Sequence, residues 1–80
     1  MKDFNIYVTA KAGIFDPAGA QAEGALHNLD LKMIEQVKIG KFIQLRCDDS
    51  TSLDNVRQAC DKLLANPVIE DYRIEPVSED

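Results

Sequence analysis

Apolar residues in this chain switch period along its length, from two to about 3.6 and back, twice over, and that alternation fixes which elements it can form. Phe4, Ile6 and Val8 alternate with Asn5, Tyr7 and Thr9, which puts three apolar side chains on one face of a first strand. A loop through Gly13 then reaches Asp16-Pro17. There Asp16 can cap a helix with its carboxylate, and Pro17 suits a first turn that needs no amide donor. Ala22, Leu26 and Leu29, with Ala18 and Ala25 beside them, give that helix a narrow stripe of mostly small side chains that must pack closely. Gly24 lies inside the helix at a cost of about 1 kcal/mol relative to Ala, so a second backbone or a bulky side chain should approach that spot.

Two further strands fit residues 34–39, with Val37 and Ile39 two apart, and residues 42–47, with Ile43, Leu45 and Cys47 on one face. Gly40-Lys41 between them suits a tight hairpin, because glycine accepts positive φ; a bulge in one long bent strand is the alternative. A second helix starts at Thr51 or Ser52 with Asp54 in its first turn and carries a stripe of Leu53, Val56, Cys60, Leu63 and Leu64. Asn66 should end it, since Asn tolerates a left-handed terminus and Pro67 blocks continuation. Residues 68–75 read as a last strand, with Tyr72 and Ile74 on one side and Asp71, Arg73 and Glu75 on the other.

The order is therefore βαββαβ, an α+β arrangement related to the ferredoxin-like fold, with an antiparallel sheet and two helices on one of its faces. Residues 1–80 are expected to form a single domain, since chains divide into several cores only at greater length. The other face would display Asn5, Tyr7, Phe42, Gln44, Arg46 and Arg73, and that face or a strand edge should meet a partner. A chain of 8.9 kDa buries only about 60% of its extended surface on folding, so self-association would help it.

Charge and composition exclude several classes. The formal net charge is -5 and the nine Lys and Arg are spread from Lys2 to Arg73 without a run, so nucleic acid is not an expected partner. No stretch approaches the roughly 20 apolar residues of a membrane span, and the start MKDFNIYV lacks the order of a signal peptide; a cytoplasmic location without membrane contact is expected. Cys47 and Cys60 have no second thiol or histidine at metal-ligand spacing and read as reduced core residues.

The chemistry of a catalyst is missing from the pattern: no nucleophile with a base, no paired carboxylates in an enclosed cleft, no metal cluster. The Lys11-Ala12-Gly13 loop has neither the glycine spacing nor the lysine position of a phosphate-binding loop. His27, the sole histidine, falls off the apolar stripe and reads as a surface residue without a partner for acid-base work. Glu70, Asp71, Glu75, Glu79 and Asp80 read as a solvated acidic end. No catalytic, metal-binding or cofactor-binding residue is expected.

Along nearly its whole length the chain resembles the PurS family, the small subunits of phosphoribosylformylglycinamidine (FGAM) synthase. The resemblance lies in Asp16-Pro17-Ala18-Gly19, Glu23-Gly24-Ala25-Leu26-His27, Val37-Lys38-Ile39-Gly40-Lys41 and the run from Leu63-Leu64-Ala65-Asn66-Pro67 to Tyr72, in that order. It implies sheets that pair in a dimer, or further in a tetramer, and a subunit with no active site of its own. It also implies a large synthetase subunit and a glutaminase subunit as partners, with the ATP, Mg and glutamine of the complex bound by those two. Lys41, Asn66, Tyr72 and Arg73 are the residues expected to make contacts. Two other proteins share the element order. An ACT-like sensor of small molecules usually accompanies a further domain, and an acylphosphatase-like hydrolase needs an Arg-bearing anion loop where residues 9–16 offer only Lys11.

Overall fold

The computed structural model describes residues 1–77; Glu79 and Asp80 of the expected acidic end lie outside the described residues. Strand β1 spans Lys2–Ala10, helix α1 Pro17–Asn28, strand β2 Lys41–Cys47, helix α2 Leu53–Ala59 and strand β3 Glu70–Val77, with a π-helical turn at Cys60–Leu64 directly after α2. The three strands form one antiparallel sheet in the order β2-β1-β3, with Ile6 opposite both Ile43 and Ile74.

Both outer strands run antiparallel to β1, so they are parallel to each other, and only a crossover can join them. Helix α2 is that crossover. It starts with a reciprocal cap: the Asn55 amide donates to Ser52 Oγ at 3.2 Å, and the Ser52 amide donates to Asn55 Oδ1 at 2.9 Å. Passing over β1, it presses Val56 and Cys60 onto Phe4, Ile6 and Val8, and these residues with Ala65 form the buried core. Ile43, Leu45, Cys47, Leu64, Tyr72 and Ile74 flank it, half buried.

The α+β class, the antiparallel sheet and the two helices match the sequence pattern, but three details differ. Residues 34–39 join no ladder among the described residues, and Gly40-Lys41 is therefore not a hairpin turn. The return segment is held beside α1 instead, by the Asp16–Ile39 and His27–Ile34 bonds, and so does not fold back along the outer edge of β2. Leu53 and Leu63, both expected in the buried stripe, are 38% and 84% exposed. The Ala65 amide donates to the Cys60 carbonyl at 2.9 Å, five residues back, and this wider turn brings Leu64 and Ala65 inward while Leu63 swings out.

The third difference sets the shape. Helix α1 does form over Pro17–Asn28 with Asp16 as its cap, but only Gly19 within it is buried and none of its residues joins the core. It covers no face of the sheet; α2 alone does that. Together with residues 29–40, which return to β2, α1 makes an arm beside the sheet. The molecule accordingly measures 50 × 32 × 13 Å with a radius of gyration of 16.0 Å, where a compact chain of this length has about 12 Å. Strand β3, on the sheet edge, carries Pro76.

Candidate interaction surfaces

Three surfaces outside the core gather side chains able to do something, and each follows from the local fold. The first is the sheet face turned away from α2. Antiparallel register puts Tyr7 opposite Phe42 on one side and Arg73 on the other. The two rings lie 5.1 Å apart and the Arg73 guanidinium sits 4.3 Å over Tyr7, a cation stacked on a π face. Nearby, Arg46 donates twice to Asp3, at 3.0 and 3.2 Å, and this fork holds the Asp3 carboxyl below its usual range. Asn5 Nδ2 and Tyr7 Oη both lie 3.4 Å from Glu75 Oε1, so the face is a layer of satisfied polar groups around one aromatic pair.

The second surface is a shallow depression of about 370 Å³ where the π-helical turn meets the start of β2. Lys41, Asp61, Leu63, Asn66, Pro67 and Glu70 line it. The Asn66 amide donates to Glu70 Oε1 at 2.8 Å, and Asn66 Oδ1 accepts from the Val68 amide at 3.1 Å, which fixes the turn after the helix. Tyr72 Oη donates to Asp61 Oδ1 at 3.0 Å, and that carboxylate, by accepting from the neutral phenol, pushes the Tyr72 pKa up. Leu63 in its lining and Val68 just beyond Pro67 are 84% and 78% exposed.

The structure thus brings Lys41 and Asn66 to one depression and ties Tyr72 to it through Asp61, whereas Arg73 points to the opposite face of the sheet. Tyr72 and Arg73 are neighbours in a strand, so alternation alone sends them apart.

The third surface is the arm. A cleft of about 740 Å³ separates α1 from the return segment, lined among others by Lys11, Ile14, Glu23, Glu35 and Lys38. Phe15, Leu29, Met33 and Ile39 are 75%, 69%, 72% and 47% exposed along the arm. Two polar links that sequence reasoning missed hold it together. Asp16 accepts from the Gly19 amide at 3.0 Å as a helix cap should, and also from the Ile39 amide at 2.9 Å. These bonds, Ile39 first, keep its carboxyl below the ordinary range. His27 Nε2 donates to the Ile34 carbonyl at 2.7 Å, so the sole histidine is a bracket inside the arm. The Asp-Pro pair signalled the cap, but nothing in the pattern signalled partners so far along the chain.

Among the described residues no group of three or more His, Cys, Asp or Glu comes together as a metal site, and no helix is long and apolar enough to cross a membrane. Burial pushes the Cys60 thiol pKa up, which disfavours the thiolate a nucleophile needs.

Comparison with known proteins extends the picture. The family model described as PurS, phosphoribosylformylglycinamidine (FGAM) synthase, matches residues 3–78. The phosphoribosylformylglycinamidine synthase subunit PurS of Bacillus subtilis (strain 168) is 42% identical over 77 residues, covering 94% of this chain and 92% of its own. A crystal structure of B. subtilis PurS superposes with a TM-score of 0.88 at 39% identity, covering 98% of this chain and 100% of that one. A chain in the structure of PurLQS from Thermotoga maritima matches with a TM-score of 0.78 at 28% identity, over 95% of this chain and 96% of its own.

Proposed function

This chain belongs to the PurS family of phosphoribosylformylglycinamidine synthase subunits, and from that premise we propose that it acts as an adaptor that pairs with a second copy of itself and bridges the synthetase and glutaminase subunits. As an FGAM synthase subunit it serves purine biosynthesis within an enzyme complex, and it is an accessory subunit of that enzyme. ATP, Mg and glutamine are then bound by its partners, and this chain supplies surfaces that hold two active sites in register, so that a released amine passes between them without loss to water.

The observation that carries the self-association is an excess of surface. The chain exposes 5958 Å², whereas a compact monomer of its mass exposes about 4800 Å². The difference is on the order of 1,000 Å², about what one partner contributes to a stable interface. Much of the exposed apolar surface lies on the arm, where α1 has no core beneath it and residues 35–38 carry backbone amides and carbonyls bonded to no other strand. A strand-forming sequence without a strand beside it is completed most directly by the edge of a second sheet. The depression around Lys41 and Asn66, with Tyr72 behind it, and Arg73 on the other face are the contacts offered to the other two subunits.

Co-elution with the large synthetase and glutaminase subunits, followed by light scattering, tests this reading together with glutamine-dependent synthesis with and without the chain. The adaptor reading requires a ternary peak that contains two or more copies of this chain, and activity that depends on it. Three separate peaks with full activity in its absence would refute it.

A further inference from the structure

The arm lacks a core, yet its two lengths of chain are fastened at both ends. At the tip, Asp30 adopts a left-handed conformation (φ 64°), the Leu31 amide donates to the Leu26 carbonyl at 3.1 Å, and His27 brackets Ile34. At the base, the start of α1, the return segment and the end of β1 converge. A Cβ on Gly19 would collide with the Val37 carbonyl oxygen, and one on Gly40 with the Val8 carbonyl oxygen. Between those two close approaches stands Asp16, and its two oxygens do different work. Capping needs one acceptor, which Oδ1 supplies to Gly19. Oδ2 takes the amide of Ile39, the residue before the chain enters β2 through Gly40.

We propose that Asp16 is a positioning residue for assembly: by bridging the first turn of α1 to Ile39, its carboxylate fixes the direction in which residues 34–39 are presented to a second copy of this chain. This rests on the self-association reading above. Residues 35–38 have no ladder of their own, so without the bridge they must be ordered at the moment of pairing, and the entropy of that ordering comes out of the affinity. With it, α1 and the return segment approach the partner as one preformed surface. A charge-assisted bond to a backbone amide suits that task, because it is directional and stronger than a neutral one.

Two substitutions separate the cap from the bridge. Asp16→Ser keeps a hydroxyl that can accept from Gly19 but is too short to reach Ile39; Asp16→Ala removes both. Sedimentation over a range of concentrations gives the dimer dissociation constant, and amide exchange at Ile39, Gly19 and Val56 reports bridge, cap and core. In Asp16→Ser we expect faster exchange at Ile39, unchanged protection at Gly19 and Val56, and a dissociation constant raised about tenfold that higher concentration overcomes. A merely structural role would instead lower protection at Val56. If Asp16→Ser pairs as tightly as the unaltered chain with Ile39 freely exchanging, or if Val56 loses protection with it, the proposal is wrong while self-association stands. An unaltered chain that stays monomeric at every concentration removes the self-association reading and this proposal with it.

Discussion

Asp16, Asp3 and Asp48 are carboxylates whose charged form is favoured by the groups they accept from: the Ile39 and Gly19 amides, the Arg46 guanidinium, and the Ser50 and Thr51 groups respectively. Each is thereby held below the value near 3.9 that aspartate has in an unfolded chain. Such a group contributes stability that is fully present above the unfolded value and is lost as the pH falls through the lower folded one. Urea unfolding should therefore show stability level from about pH 7 to 5 and declining below about pH 4, with the deficit of Asp16→Asn relative to the unaltered chain shrinking as acid protonates the native carboxylate. A deficit that is constant down to pH 2 would contradict this. Tyr72 behaves in the opposite sense: its phenol is raised by donating to Asp61, so Asp61→Asn should bring it back toward 10, read by alkaline absorbance titration in a Tyr7→Phe background. At this scale the sequence disclosed what is local. The cap at Asp16 follows from the Asp-Pro pair, while its second bond and the bracket from His27 to Ile34 depend on how the chain returns, which no neighbouring residue encodes.

Among the elements, β1, α2 and β3 were legible because their apolar period and their burial agree: Phe4, Ile6 and Val8 face Val56 and Cys60 as the pattern requires. The stripe of α2 misled at both ends: Leu53 is exposed, and a π-helical turn changes the angle per residue so that Leu63 leaves the core while Ala65 enters it beside the half-buried Leu64. Val56→Ala should accordingly cost about 2–3 kcal/mol in the isolated chain and Leu63→Ala less than about 0.5, a contrast that paired urea melts would reveal. Comparable losses would mean that the turn is not as described. Residues 34–39 read as a strand because strand propensity is local, whereas a ladder depends on where the chain runs, and the bonds between Asp16 and Ile39 and between His27 and Ile34 hold this length beside α1 rather than along β2. In α1 the small-residue stripe is present, but among the described residues it meets no part of the core. No atom outside the helix lies within 4 Å of where a Gly24 Cβ would stand. Gly24→Ala should thus raise the stability of the separated chain by about 1 kcal/mol, the ordinary gain for a helix interior. A loss measured at concentrations low enough to keep copies apart would show that something in the same chain occupies that space.

For the molecule as a whole, the class and the sheet were accessible from element order and from the family resemblance, but the shape was not. Periodicity says which face of a helix is apolar, not whether that face is met within the same chain. Because α1 lies off the core, folding and association should be linked, and the thermal midpoint should climb by about 5–10 °C over a hundredfold rise in protein concentration. A midpoint independent of concentration, read by calorimetry, would set the surface excess down to shape alone. The two sheet edges are not equivalent, and that bears on how large such an assembly can grow. Strand β2 continues directly from the unpaired residues 34–39, whereas β3 bears Pro76, whose nitrogen has no hydrogen to give, alongside alternating charges at Asp71, Arg73 and Glu75. Addition at one border only cannot propagate; it stops when two open borders have met. Pro76 and these charges make the β3 border the poorer template, so pairing through β2 should give particles of limited copy number rather than fibrils, a distribution that light scattering would reveal.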